Sequence, residues 1–327
     1  MRYSIVFLAA LSASVQAHGV ITQVQGANGV NMPGLSVADG TPRDSPSPLS
    51  GAEADTSIIR AKEMGGKASA LGRTANGPVN AASAIATFMG TGAAGAGAAG
   101  AGAAGAGTAG AAGAKGAAGA GAAKGAKGAA GAAAAKGAAA TTKRGLLDAL
   151  TGGAAKGGAG ATGAGTKTAK GTTEAGVAAA AGSGAASGLP TTADDGTITM
   201  TFHQVNQDGA GPLTAMIDPT SAGTDPAAFQ AATVTQNVPG IGIGGLSAAS
   251  TMDFPVKVQM PAGMTCSGTA GGATNVCVVR MQNAALAGPF GGSAAFTQST
   301  AAKKRAVEYN LRKRHFARGV LGKADCE

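Results

Sequence analysis

Two histidines carry the most chemistry in this sequence, His18 and His203; a third, His315, sits in a basic tail. His18 directly follows Ser14-Val15-Gln16-Ala17, a run with small residues at the two positions that a signal peptidase inspects. Cleavage after Ala17 makes His18 the N-terminal residue, whose α-amine and imidazole can then chelate one ion together. His203 would complete a set of three nitrogens in one plane, a donor set that suits Cu(II) better than zinc or magnesium. A strand histidine is otherwise a packed or solvent-facing residue, so this chemistry requires the two histidines to meet.

The elements that must position them begin after the leader. Arg2 supplies a short positive region and Ile5 to Leu11 an apolar one, which makes residues 1–17 a secretory signal peptide and the product extracellular, at the cell wall or cell surface. No later stretch is uniformly apolar for the roughly 20 residues that a membrane helix needs, so no integral membrane segment is expected. Residues 18–89 and 189–302 read as two parts of one β-sandwich domain. Between them residues 90–188, almost wholly Gly, Ala, Thr and Lys, offer too few large apolar side chains to offset the entropy of ordering them. That insert is expected to be disordered.

The formal charge is +9, but it is unevenly placed. The insert holds nine basic and two acidic residues and the tail, 303–327, eight and three, whereas 189–302 has two basic against six acidic. The foldable parts are thus neutral to acidic. Nucleic acid, which needs a basic patch on a folded face, is not an expected partner. The cationic insert and tail suit anionic wall polymers or surfaces instead.

Val20, Thr22 and Val24 alternate with Ile21, Gln23 and Gln25, giving a first strand that ends at the turn Ala27-Asn28-Gly29. A loop over 36–50 comes next, then a helix within Gly51 to Arg73, with Asp55 as cap and Gly65-Gly66 ending it early. Gly196 to Val205 alternates so that Ile198, Met200 and Phe202 share one face and His203 points to the other. Further strands are expected at 232–238, 252–260, 277–282 and 293–297. Short strands at this spacing argue for an antiparallel β-sandwich.

Among the three cysteines, Cys266 and Cys277 form the natural pair in an oxidising compartment and leave Cys326 over. Closing that short loop contributes on the order of 3 kcal/mol in the chain-entropy account. The tail carries two dibasic sites, Lys303-Lys304-Arg305 and Arg312-Lys313-Arg314, and cutting at either removes Cys326. Several other signals dissolve on inspection. Gly95, Gly97 and Gly100 match a nucleotide fingerprint, but a Gly/Ala tract produces it by chance and no strand precedes it. Asp208 and Asp218 could pair as the acid and base of a glycosidase, yet Asp208-Gly209 and Asp218-Pro219 read better as turns. No Gly-x-Ser-x-Gly elbow marks a serine hydrolase.

The His18-Gly19 start, the run Phe202-His203-Gln204-Val205-Asn206-Gln207-Asp208-Gly209-Ala210-Gly211-Pro212, the run Gly288-Pro289-Phe290-Gly291-Gly292 and the tail from Ala306 to Cys326 resemble fungal appressorium-associated cell-surface virulence factors of the Mas/Gas/Egh type. That resemblance, over residues 1–89 and 189–327, implies a role in host-surface penetration or adhesion with a fungal or host cell-wall polysaccharide as partner. More distantly the chain resembles the copper lytic polysaccharide monooxygenases, whose "histidine brace" sits on an immunoglobulin-like sandwich. This second resemblance implies a copper oxidoreductase acting on a cell-wall glycan, with His18 and His203 holding copper, Phe290 in the axial place and Gln282 behind them. The chain departs from it at Met281 and Ser293, where cysteines are expected, and in having no tryptophan, so it lacks an aromatic platform for crystalline polysaccharide.

Overall fold

The structure, a computed structural model, describes residues 18–92, 161–162, 164–241 and 246–321. The expected leader, the greater part of the 90–188 segment and Cys326 lie outside the described residues. Fourteen strands follow in chain order: β1 Gly19–Gln25, β2 Asn31–Pro33, β3 Ser57–Ile58, β4 Arg73–Thr74, β5 Gly77–Pro78, β6 Ala161–Thr162, β7 Thr166–Lys167, β8 Thr197–Gln204, β9 Thr214–Asp218, β10 Gln230–Asn237, β11 Met252–Gln259, β12 Gly268–Ala270, β13 Ala273–Gln282 and β14 Phe290–Thr297. Among the described residues the α-helices are α1, Ala81–Phe88, and α2, Thr300–Leu321.

The protein is mainly β, as the alternating pattern predicts. The order β2-β1-β8-β11-β10 makes one layer and β10-β9-β13-β14-β3-β4-β5 the other. Strand β10 belongs to both: its first residues pair with β9 and its later ones with β11. The sheet thereby curls over so that β1 lies across β14. The approach is close, since a Cβ on Gly292 would fall 2.6 Å from the backbone nitrogen of Ile21. Ile198, Met200 and Phe202 from β8 meet Ile217, Val279 and Met281 in the shared core. The disulfide Cys266–Cys277 is formed and pins the loop before β12 to β13.

Two expectations need correction. Residues 51–73 form no α-helix: Gly51, Gly65 and Gly72 take positive φ, each a conformation that ends a helix. Asp55 caps nothing; it is buried against Arg43, with bonds of 2.9 and 2.6 Å to the guanidinium. Ser57 and Ile58 are instead recruited by the edge of β14. Secondly, the insert's last part is structured: β7 pairs with β11, and Glu174 exchanges backbone bonds with Gly40 and Thr41. Gly and Ala suffice there because the segment packs on a core that others supply. The tail is helical from Thr300. Ala302 and Ala306 are buried, and the Asn310 side chain donates to the Gly263 carbonyl at 2.9 Å. The first dibasic site therefore lies on the docked turns of α2, while Arg312, Lys313 and Arg314 are exposed beyond them.

Asp218, at the end of β9, shows why the turn reading of its sequence is right. Its carboxylate is fully buried and accepts from the backbone N–H groups of Thr220, Ser221 and Gly223 at 2.8, 2.9 and 2.6 Å, and from the Ser221 hydroxyl. Burial alone would raise its pKa, but these donors prevail and hold it below the usual range. A lowered folded pKa gives stability that is present above the unfolded value, about 4, and is lost as pH falls through the folded one. Asp218→Asn is expected to cost about 2 kcal/mol at neutral pH and to flatten the acid limb of a urea-unfolding series. An unchanged limb would remove Asp218 from the acid response.

Candidate functional site

The register of β1 and β8 decides where the two histidines go. Val20 is paired directly with His203, and the Val205 amide donates to the His18 carbonyl at 3.0 Å. Residues 18 and 20 therefore share a face with 203 and 205. That face is opposite to the core-facing Ile198, Met200 and Phe202, as the alternation predicts. Both histidines are nonetheless buried, His18 at 6% exposure and His203 at 0%. Gly19 is required between them and the core, because any Cβ there would lie 2.2 Å from Cζ of Phe202. Gly209 is equally constrained: a Cβ would stand 2.0 Å from the His18 carbonyl oxygen.

Each imidazole keeps one nitrogen without a hydrogen bond. On His203, Nδ1 lies 2.8 Å from Oδ1 of Asp253, its direct partner on β11. A carboxylate only accepts, so Nδ1 carries a proton, and in the neutral imidazole the lone pair is on Nε2. That Nε2 is buried and has no partner. On His18, Nδ1 stands 3.1 Å from Oε1 of Glu53, close enough for an ion pair but not aligned as a hydrogen bond. The His18 backbone nitrogen faces Oδ1 of Asn206 at 3.0 Å, and Asn206 in turn donates to Glu53 at 3.0 Å. Buried polar atoms are rarely left without a hydrogen bond, and here two imidazole nitrogens, Nδ1 of His18 and Nε2 of His203, are.

The surroundings are acidic on one side and apolar on the other. Asp208 has its pKa raised by burial, with the nearby His18 acting in the opposite direction. The Phe290 ring lies 4.6 Å from the His18 ring, tilted by 38°. Asn283 sets that ring: its side-chain carbonyl accepts from the Phe290 amide at 3.0 Å, while its amide donates to Asp208 and Ala210 carbonyls. Gln204 fixes the loop after β8 by donating to Asn206, Ser247 and Ala249. Among the described residues no three of His, Cys, Asp and Glu converge as a metal-binding group. A site here would rest on two residues and three nitrogens.

The comparison of the whole chain adds what geometry lacks. A family model described as Egh16-like virulence factor matches residues 16–291. The chain belongs to that family. Its relatives include the appressoria-specific virulence factor GAS2 of Pyricularia oryzae, 53% identical over 98% of this chain and 97% of the relative. GAS1 of the same fungus is 40% identical over 39% of this chain and 51% of its own length. No solved structure matches the chain significantly.

Within this Egh16-like chain the sequence-selected residues separate into two places. His18, His203 and Phe290 lie at one end of the sandwich. Gln282 does not join them: it pairs with Gly291 on β14, one residue from Phe290, so the two side chains leave the sheet on opposite faces. Gln282 lines a separate pocket with Arg280. Glu53, Asn206, Asp253 and Asn283 escaped the sequence reading. Of these only Asn206 stood inside a recognised run; the others become visible when β-pairing and loop closure bring them in. By the same register Met281 pairs with Gly292 and Arg280 with Ser293, which sends the Met281 and Ser293 side chains to opposite faces.

Proposed function

We propose that this protein acts as a virulence factor outside the fungal cell, in penetrating or adhering to the host surface, and that His18 and His203 bind copper there. The full-length likeness to appressoria-specific relatives supports the first part. The observation that carries the second is the pair of buried nitrogens without a hydrogen bond, Nδ1 of His18 and Nε2 of His203. The residues fit the ion. Removal of the leader would free the His18 amine, which adds a third nitrogen, and such a set suits Cu(II). Copper bound there would supply redox chemistry; the chain itself contributes orientation and charge. Asp253 holds the His203 tautomer, Glu53 and Asp208 offset cationic charge, and Phe290 closes one side without offering a donor atom. The monooxygenase reading on a cell-wall glycan rests on this same site.

The test is N-terminal sequencing of the secreted protein followed by Cu(II) titration read by electron paramagnetic resonance. A His18 start with one tight, nitrogen-coordinated copper is expected, and oxidised oligosaccharides then become the product to seek. A start upstream of His18 would remove the third nitrogen and weaken the site, and a start beyond His18 would remove the site altogether. Adhesion has its own test in the insert. Because residues 164–188 are part of the folded body, the informative deletion is 95–158, which is expected to leave the melting temperature unchanged and weaken wall binding. Unchanged wall binding would count against a role for the insert.

A further inference from the structure

On the far side of β13 from the core, Arg280 and Gln282 line an open pocket of about 640 Å³ with Ile59, Ala61, Met64 and Pro289. Arg280 is 7% exposed, and among the described residues no carboxylate neutralises it. Its guanidinium donates to the Ala70 carbonyl and otherwise meets the sulfurs of Met64 and Met216 at 3.8 and 3.3 Å and the face of Phe229 at 4.4 Å. These are weak acceptors for a fork of five N–H groups. Nearby, Arg60 and Arg73 share the single carboxylate of Glu63, so the neighbourhood holds a surplus of positive charge. Burial lowers the Arg280 pKa, yet a guanidinium stays protonated in proteins. An uncompensated buried cation is costly unless something pairs with it.

We propose that this pocket binds the carboxylate of a small organic acid, with Arg280 as its anchor and Gln282 as an adjoining polar group. A carboxylate matches the guanidinium fork in shape and brings one negative charge to one unpaired positive charge. The walls of Ile59, Ala61, Met64 and Pro289 favour a ligand whose body is apolar or presents a ring face, rather than a compact, strongly hydrated phosphate. Two sources share this chemistry, a uronic acid from an acidic glycan and an aliphatic acid. The site is independent of the histidines.

The full secreted chain is titrated with sodium D-galacturonate, sodium hexanoate, neutral D-galactose and inorganic phosphate, by calorimetry and by two-dimensional NMR. One of the two acids is expected to bind saturably and galactose not at all; tighter galacturonate points to a glycan, tighter hexanoate to an aliphatic acid. Arg280→Met is expected to lower affinity at least tenfold while leaving the melting temperature unchanged or higher, since it removes an unpaired buried charge. Arg280→Lys keeps the charge and loses the fork, and Gln282→Ala alters a partly exposed residue; each is expected to weaken binding severalfold in a folded protein. His203→Ala should leave acid binding intact. Absence of saturable binding by either acid, an unchanged affinity in both Arg280 variants, or tighter binding of phosphate than of both acids would overturn the proposal.

Discussion

Asp55→Ala is expected to destabilise the protein by about 3–5 kcal/mol, the cost of stranding a buried charge. Arg43 is 2% exposed, and Asp55 accepts from both Nη1 and Nη2 and also from the Ala38 amide at 3.1 Å. Burial pulls the Arg43 pKa down, but the bonds and charge of Asp55, then those of Glu174, raise it above the ordinary value. Glu174 meets Nε at 2.9 Å from a more exposed position, so Glu174→Ala should cost less, about 1–2 kcal/mol. Replacing both Arg43 and Asp55 by Met and Leu should recover much of the loss, because a buried pair is often matched by apolar groups of similar size. Urea unfolding at fixed slope separates these cases. If Asp55→Ala cost no more than Glu174→Ala, the pair would not be the strut that joins the returning insert to the 38–55 loop.

That pair illustrates what the sequence hides. The strands were legible where alternation is local: β1, β8 and β11 fall where apolar and polar residues take turns. Arg43, Asp55 and Glu174 are separated by 12 and 131 positions, and no local pattern foretells their meeting. A helix over 51–73 was favoured by Asp55, Lys62 and Glu63 at helical spacing, and was defeated by the glycines and by a sheet edge that only the fold creates. The same holds for the candidate site. His18 and His203 stood out by residue type and by their recognisable surroundings; Asp253 and Glu53 look like ordinary surface acids until β11 and the loop before β3 are in place. Gln282 was assigned by position, and one step of strand register moved it to the other face.

His203→Ala is expected to abolish tight copper binding, a larger loss than any outer partner can produce. It removes one of the three nitrogens of the proposed set, the buried Nε2 that has no hydrogen-bond partner. Asp253→Asn keeps the ligand but weakens its orientation, for the amide can present a donor to Nδ1 and so favour the tautomer whose proton sits on Nε2. Loss of such a partner costs roughly tenfold to a hundredfold in metal affinity. Both variants are compared by Cu(II) titration with nitrogen hyperfine splitting as the structural readout, alongside protein bearing an extra residue before His18. The extended form blocks the amine while leaving both rings intact, so it should lose one nitrogen from the spectrum. The order of effects carries the argument: His203→Ala first, the extended form next and Asp253→Asn last. Equal copper affinity in wild type and His203→Ala would place the metal on the N-terminal residue alone. Two shared strand positions would then explain the buried histidine by packing, with Asp253 serving only to satisfy it.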